Sequence, residues 1–329
     1  MQIKNRSEVL FLYDIRDANP NGDPDENKPR IDEETEVNIV TDVRLKRTIR
    51  DYLQRYKNKP IWLIEEIKGD GMRKTREEKL LEAEVTSRED ARKLLEKYLD
   101  LRLFGATIAG KGEDGSKGEK VFTWTGPVQF KFGRSLHSVE PILIKGTSVL
   151  PTTKMKAGGA FTEAWVLPYS LICFYGIINE NNAVDTKLTE DDVNELMDAI
   201  WNGTKNLITR SKFGQVPRLL IKITYEETNY HIGDLDKKIK LLDTERKSVD
   251  GDGKKGKTIR SIEELELDLT GLVDSMKQRI NKIESISVEV NDEVSFMLYD
   301  KNIKGKHLIE ALRDIRELRD KIKELKVDK

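Results

Sequence analysis

Apolar positions along this chain switch between two spacings, and the switches predict its elements. Ser7 to Tyr13 is a short apolar run bounded by polar residues, which predicts a buried strand. From Thr41 the period becomes helical, and at about 100° per residue Leu45, Ile49, Tyr52, Leu53 and Tyr56 gather on one face. Thr41 suits the N-cap, Asp42 favours the first turn, Val40 is placed to staple onto Leu45, and Pro60 ends the run. Residues 61–104 predict charged amphipathic helices that pack through Leu94, Leu95, Tyr98 and Leu99. Gly110 to Lys120 ("GKGEDGSKGEK") predicts a flexible loop. Strand character returns from Val121 to Phe132, around Gly126-Pro127.

Residues 141–163 hold two small apolar runs and "TTKMKAGGAFT", the pattern of a projecting hairpin, and Ala164 to Ile178 predicts a central strand. Leu188 to Leu207 has helical spacing with Thr189 as its cap, and Val216 to Tyr225 is another strand. The charge-rich, glycine-punctuated stretch 233–260 predicts a mobile excursion. A helix, an alternating hairpin around Asn291-Asp292 and a charged terminal helix from about Ile303 complete the chain. The order strand, helix, strand, strand, helix, strand, with insertions, fits an α+β protein with a ferredoxin-like or RRM-like core.

With 329 residues, 37% hydrophobic and 36% charged, the chain can bury a sizeable core beneath a heavily charged surface. No apolar run approaches membrane-spanning length, and the N-terminal residues show no signal-peptide core, so a soluble, cytoplasmic protein with no membrane partner is expected. The single cysteine, Cys173, rules out an intramolecular disulfide and lies in an apolar run, which predicts a buried, inert thiol. A formal net charge of −1 leaves a nucleic-acid partner to be decided by local charge.

The loop "DANPNGDPDENKPR", residues 17–30, nearly spells a calcium site, but Lys28 stands where the bidentate Glu belongs. "GATIAGKG" (105–112) nearly spells a phosphate loop, but Gly112 replaces the Ser or Thr that would meet magnesium. His137, His231 and His307 show no metal-ligand spacing, so no cofactor and no metal are expected. Asp17, Asp23 and Asp25 leave two readings open: carboxylates that bind magnesium for ribonuclease chemistry, or turn formers that bond their own backbone.

Local charge is more informative. From Asp42 to Lys57 six cations face two acids, and Arg44, Lys46, Arg47 and Arg50 form an arc beside the apolar face, predicted to present four cations. Further cations fall at the ends of core elements: Arg134, Lys154 and Lys156, then Arg210, Lys212 and Arg218. In "TRSKFGQVPR", Ser211 can donate a hydrogen bond and Gly214 permits close approach, so together these groups outline one groove for a phosphate backbone.

"DANPNGDPDENKPRID" followed by "VTDVRLKRTIRDYL" closely resembles the start of the multi-copy backbone subunit of type I CRISPR surveillance complexes (Cascade), particularly type I-B, within the RAMP superfamily. "TWTGPVQFKFGRSLH" and "ITRSKFGQVPR" resemble it too, so the likeness covers about residues 5–230. It implies an RRM-like palm (1–60, 121–134 and 164–232), a helical fingers insertion (61–120), a β-hairpin thumb (135–163) and a C-terminal extension (233–329). It also implies a non-catalytic subunit whose copies polymerise along the guide RNA (crRNA). The subunit grips the RNA backbone without reading sequence, leaves the bases to pair with a target DNA strand, and meets other Cascade subunits. The RNA-binding residues implied are Asn19 and Asn21 in the loop, Arg44, Lys46, Arg47 and Arg50 on the helix, and Arg134. Arg210, Ser211, Lys212 and Gln215 follow in the late loop, with Lys154, Met155 and Lys156 on the thumb. Related subunits of type III complexes cleave RNA with an acid in the corresponding loop region, which keeps a metal-dependent ribonuclease acting through residues 17–25 as the alternative.

Overall fold

The computed structural model describes residues 1–110, 120–147, 161–249 and 253–328. It is a mixed α+β protein with several sheets, and the largest sheet positions everything else. Its strands run in the order Ile322–Glu324, Ile283–Val290, Val216–Tyr225, Ser7–Ala18, Phe161–Ile178, Gly133–Ser138 and Val37–Val40, while Val128–Phe130 and Ile142–Thr147 also pair with the long strand Phe161–Ile178. The opening strand Ser7–Ala18 is antiparallel to both neighbours, with Phe11 opposite Phe174 on one side and Leu220 on the other.

Strand alternation sends successive side chains to opposite faces, and both faces are covered. On one face Val9, Phe11, Tyr13 and Ile15 pack with Ile172 and Phe174 against the helices Asp42–Arg55 and Glu190–Lys205. Thr41 caps the first helix by accepting from the Arg44 N–H, and Thr189 forms a capping box with Asp192 on the second. The two helices approach closely at Gly203, where a Cβ would lie 3.0 Å from the Tyr52 Cβ. Tyr52 donates to Asp198 across this contact at 3.0 Å. Tyr56, expected on the buried face, is 55% exposed and stacks on the Tyr52 ring instead.

The other face carries Leu10, Leu12, Leu171, Cys173, Tyr175, Leu219, Ile221 and Tyr225, and residues such as Leu235, Leu241, Leu267, Val273, Phe296 and Leu312 cover it. Here the expectation of a mobile excursion over 233–260 is not met by the described residues, 233–249 and 253–260. Leu235, Ile239, Leu241 and Leu242 are buried, and Lys240–Asp243 opens a second sheet with Leu265–Asp268, Ser295–Leu298 and Lys301–Lys304. Charged residues took the outward positions of short strands, so composition suggested a linker where the pattern was amphipathic. The expected hairpin around Asn291-Asp292 is also corrected: Ile283–Val290 joins the large sheet while Ser295–Leu298 joins the second. The terminal helix is short, His307–Asp314, after the strand Lys301–Lys304.

The expected strand Val121–Phe132 breaks in two. Lys120–Thr125 pairs with Gly105–Gly110, whereas Val128–Phe130 returns to the large sheet. The break falls where the Gly126 backbone lies against Phe104 and Gly105, closer than any Cβ permits. The ribbon closes a small separate core with the helices Arg76–Glu82, Arg88–Lys97 and Leu99–Phe104, built on Trp62, Leu95, Leu101, Ile108 and Trp124. The predicted loop within 110–120 and the predicted hairpin tip, with Lys154, Met155 and Lys156, fall outside the described residues. No described helix is long and apolar enough to cross a membrane.

Candidate nucleic-acid interface

The loop that follows the opening strand is folded onto itself and onto two other segments. Asp23 accepts from the N–H groups of Asp25 (2.9 Å) and Glu26 (2.8 Å), and its own N–H donates to the Lys28 carbonyl at 2.8 Å. These backbone donors, Glu26 foremost, hold the half-buried Asp23 carboxyl below its ordinary range. Asn21 Oδ1 accepts from both the N–H and the hydroxyl of Thr41, each at 2.9 Å, which anchors the loop to the start of the first helix. Lys28 lies 4.9 Å over the Trp165 ring.

Asn19 joins the same loop to residues 209–215. Its N–H donates to the Ser211 carbonyl (2.8 Å), its carbonyl accepts from Lys212 Nζ (2.9 Å), and its Nδ2 donates to the Asn27 carbonyl (2.6 Å). Gly214, at φ +88°, permits the turn that returns the chain to the strand Val216–Tyr225.

Arg44 and Lys212 are both half-buried and lie within electrostatic reach of each other. Burial, aided by the Arg44 guanidinium, brings the Lys212 ammonium down to about 8. Burial lowers Arg44 as well, against the opposing pull of Asp51 and Tyr13. Arg44 donates to the Thr48 hydroxyl at 3.1 Å, and among the described residues neither cation has a carboxylate partner. Three buried polar atoms on these segments also lack a hydrogen-bond partner among the described residues: Arg44 Nε, Gln215 Nε2 and Asn19 Oδ1.

The rest of the predicted arc is engaged differently. Lys46 pairs with Asp42 (2.9 Å) and Arg47 with Asp51 (2.8 Å), each one helical turn away. Arg50, expected to face outward with them, turns inward to Asp100 at 2.9 Å and is 9% exposed. Arg218 is also internal: it pairs with Asp14 at 2.9 Å and bonds Asn291 and Glu293, while burial raises the Asp14 carboxyl against the pull of Arg218. Arg210 is exposed, and Ser211 is half-buried. Arg134 pairs with Asp32 at 2.9 Å and lines a groove of about 720 Å³ together with Lys28, Arg30, Ile39, Phe132 and Lys257.

Residues 5–270 match the family described as "CRISPR-associated protein Cas7". The chain belongs to the Cas7 family. A curated "CRISPR-associated protein Cas7" from Haloferax volcanii is 32% identical, with 97% of each chain covered. A solved "CRISPR RNA-guided surveillance complex" chain superposes with a TM-score of 0.50 at 13% identity, covering 87% of this chain and 88% of that one. A second, "CRISPR RNA-guided surveillance complex, pre-nicking", gives 0.50 at 10% identity over 87% and 92%. At these identities the structural likeness speaks to the fold.

In this Cas7-family chain hydrogen bonds tie Asn19 to Lys212 and Asn21 to Thr41 at the start of the Arg44 helix, and Arg134 lines a groove with Asp23, Lys28, Arg30 and Thr41 of the same loop and helix start. Two features escaped the sequence. Phe213 is 66% exposed beside Lys212, and Ile208 is 67% exposed just before it. An aromatic in the glycine-punctuated "SKFGQ" was the available signal, since a turn gives such a side chain no face to bury. Arg30, whose buried Nε has no hydrogen-bond partner among the described residues, had no signal at all. Among the described residues no group of His, Cys, Asp or Glu is placed to hold a metal ion.

Proposed function

We propose that this chain is a non-catalytic subunit that grips the sugar-phosphate backbone of a guide RNA and repeats along it, forming the filament of a CRISPR DNA-targeting complex. The observation that carries the proposal is the Arg44–Lys212 pair, two half-buried cations for which no ion pair is formed among the described residues. Such a pair is electrostatically incomplete, and a phosphodiester supplies the missing charge without offering a base to read. Membership of the Cas7 family and the solved relatives' titles support an RNA-guided complex with other subunits, in which the target DNA strand meets the guide RNA by base pairing.

The covered sheet supports backbone gripping over base stacking. RRM proteins stack bases on an open sheet face, and here residues including Leu241, Leu267, Val273 and Phe296 occupy that face while Phe11 and Tyr13 are buried beneath the helices. The order Val216–Tyr225, Ser7–Ala18, Phe161–Ile178, Gly133–Ser138, with helices after the first and third strands in sequence, supports calling the core ferredoxin-like. We assign the fingers to the small core of residues 61–125, extending them past 120 to include the whole ribbon, and the thumb to the hairpin that starts at Ile142–Thr147.

The ribonuclease alternative loses ground at Asp23, whose carboxylate is committed to two backbone donors of its own turn. Asp17→Asn with Asp23→Asn and Asp25→Asn tests it: magnesium-dependent cleavage of a guide-paired RNA that vanished in the variant would restore it. For the main proposal, Arg44→Ala with Lys212→Ala is compared with the unaltered chain on unrelated single-stranded RNAs. Affinity falls equally on all of them, and the salt slope shallows by about 0.7 per phosphate lost. A loss confined to one sequence, or none, overturns backbone gripping.

A further inference from the structure

Lysines elsewhere on this chain are held protonated by acids. Glu82, with Glu66, keeps Lys74 above the ordinary lysine value, as Glu36 does Lys257 and Glu245 does Lys247. Lys212 has the opposite surroundings: it is half-buried, Arg44 is its charged neighbour, and it forms no ion pair among the described residues. Its Nζ donates to the Asn19 carbonyl at 2.9 Å, which fixes the amine in place. The turn that carries it stands at the surface. The N–H groups of Lys212 (3.2 Å) and Phe213 (3.0 Å) both donate to the Thr209 carbonyl, and Arg210 and Phe213 are exposed.

Desolvation beside a second cation is one of the ways a lysine becomes a nucleophile. With burial and Arg44 bringing it to about 8 from 10.5, about half of the amine is free base at pH 8, against about one in 300 for an ordinary lysine. A less basic group is also a weaker nucleophile, with a slope of about 0.4–0.5 in the comparable attack by thiolates, which takes back roughly tenfold. A net advantage of about tenfold remains. The positive field of Arg44 adds to it, because an electrophile that is itself an anion is drawn to the amine.

We propose that Lys212 is an acylation site for acyl phosphates, and that acylation there releases the RNA. The neutral amine attacks the acyl carbon, an N–C bond forms and the C–O bond to phosphorus-bound oxygen breaks. Inorganic phosphate leaves with the electron pair, and the proton from the amine passes to solvent. The resulting amide has no charge to offer a phosphodiester. The release rests on the RNA-backbone function above, whereas the reactivity does not. Lys222 is the internal comparison: burial lowers it too, with Lys323 nearby, but Glu190 and Glu284 oppose that fall and their charges repel an anionic donor.

The full-length chain is treated with a limiting dose of acetyl phosphate at pH 8 without RNA, and acetylation at each lysine is read by peptide mass spectrometry. Lys212 is acetylated about tenfold faster than the median of the other lysines, and ahead of Lys222. In Arg44→Gln, with folding checked by thermal melting, that lead is lost. If Arg44→Gln does not fold, added salt takes its place: it slows acetylation of Lys212 by acetyl phosphate but not by a neutral acyl ester. The treated chain then binds single-stranded RNA about tenfold more weakly, the scale of one charged hydrogen bond. Lys212→Arg, which keeps the charge and has no amine there to acylate, retains its affinity after the same treatment. Acetylation of Lys212 no faster than the median, or a lead that persists in folded Arg44→Gln or is indifferent to salt, overturns the site. Equal loss of RNA affinity in the two treated proteins overturns the release. An untreated chain that binds no single-stranded RNA would instead sink the RNA-backbone function, and the labelling still decides the site.

Discussion

Arg50 Nε and Asp100 Oδ2 stand 2.9 Å apart, in an ion pair that joins the first helix to the 61–104 segment. Asp100 is fully buried and also accepts from the N–H groups of Trp62 (2.8 Å) and Leu63 (3.1 Å), so one carboxylate fixes both the helix and the chain entering the small core. The Arg50 guanidinium lies 5.0 Å over the Phe104 ring as well. Removing one partner of such a pair strands the other charge in the interior. Arg50→Met therefore lowers stability by about 3–5 kcal/mol in urea unfolding. A change within about 0.5 kcal/mol, the range of ordinary surface substitutions, would show that the pair is not structural.

Lys46 and Arg47 are the opposite case. Each meets a carboxylate one turn away, so much of its field is cancelled before a ligand arrives. Lys46→Ala with Arg47→Ala weakens RNA binding on all sequences, but by less than Arg44→Ala with Lys212→Ala does, and the two salt titrations rank in the same order. If Lys46 and Arg47 cost more affinity than Arg44 and Lys212, the RNA would run along the helix rather than beside the loop.

Lys212 gives the proposed interface a predicted pH dependence. Its ordinary value is 10.5, and burial with Arg44 nearby brings it to about 8 in the free protein. A bound phosphate favours the ammonium, so binding takes up a proton once the free lysine has begun to lose one. RNA affinity accordingly falls as pH rises from 7 to 9, while Lys212→Arg, which stays charged, flattens that profile. The unliganded fold follows the reverse sign. The unfolded chain holds this proton up to about 10.5, so the lysine's contribution to stability increases between about pH 8 and 10.5. Affinity titrated at fixed ionic strength checks the first effect, and denaturation of the free protein checks the second.

How far the sequence disclosed these features depends on the range of the interactions. The first helix, from its Thr41 cap to its end near Tyr56, and the strand Val216–Tyr225 were legible because periodicity and capping are local. The outward direction assigned to Arg50 was wrong because its partner, Asp100, is 50 positions away. Residues 233–329 were the least legible. Their strands are mostly three or four residues long, and Leu265–Asp268 pairs in parallel with Ser295–Leu298 across a helix and a strand of the other sheet. Within the interface, Asn19 and Lys212 were on the predicted surface, but their mutual contact joins segments 193 positions apart. Charge clusters could be read from the chain; which cations lacked a carboxylate could not.

His137 ties the C-terminal cover to the large sheet, and its protonation weakens the fold in acid. Nδ1 donates to the carbonyls of Ser138 (2.9 Å) and Gly256 (3.1 Å), while Nε2 accepts from the Leu171 N–H at 3.2 Å. Only the neutral ring can do both, because a proton on Nε2 would face another donor. Burial holds its pKa below the ordinary 6.5, so the unfolded chain takes up this proton first. The associated stability is present above pH 6.5 and is lost as pH falls below it. His137→Gln removes this titration, so its stability declines less steeply between pH 6.5 and 5 than that of the unaltered chain. Parallel slopes for the two proteins over that window would show that the ring is not the group responsible.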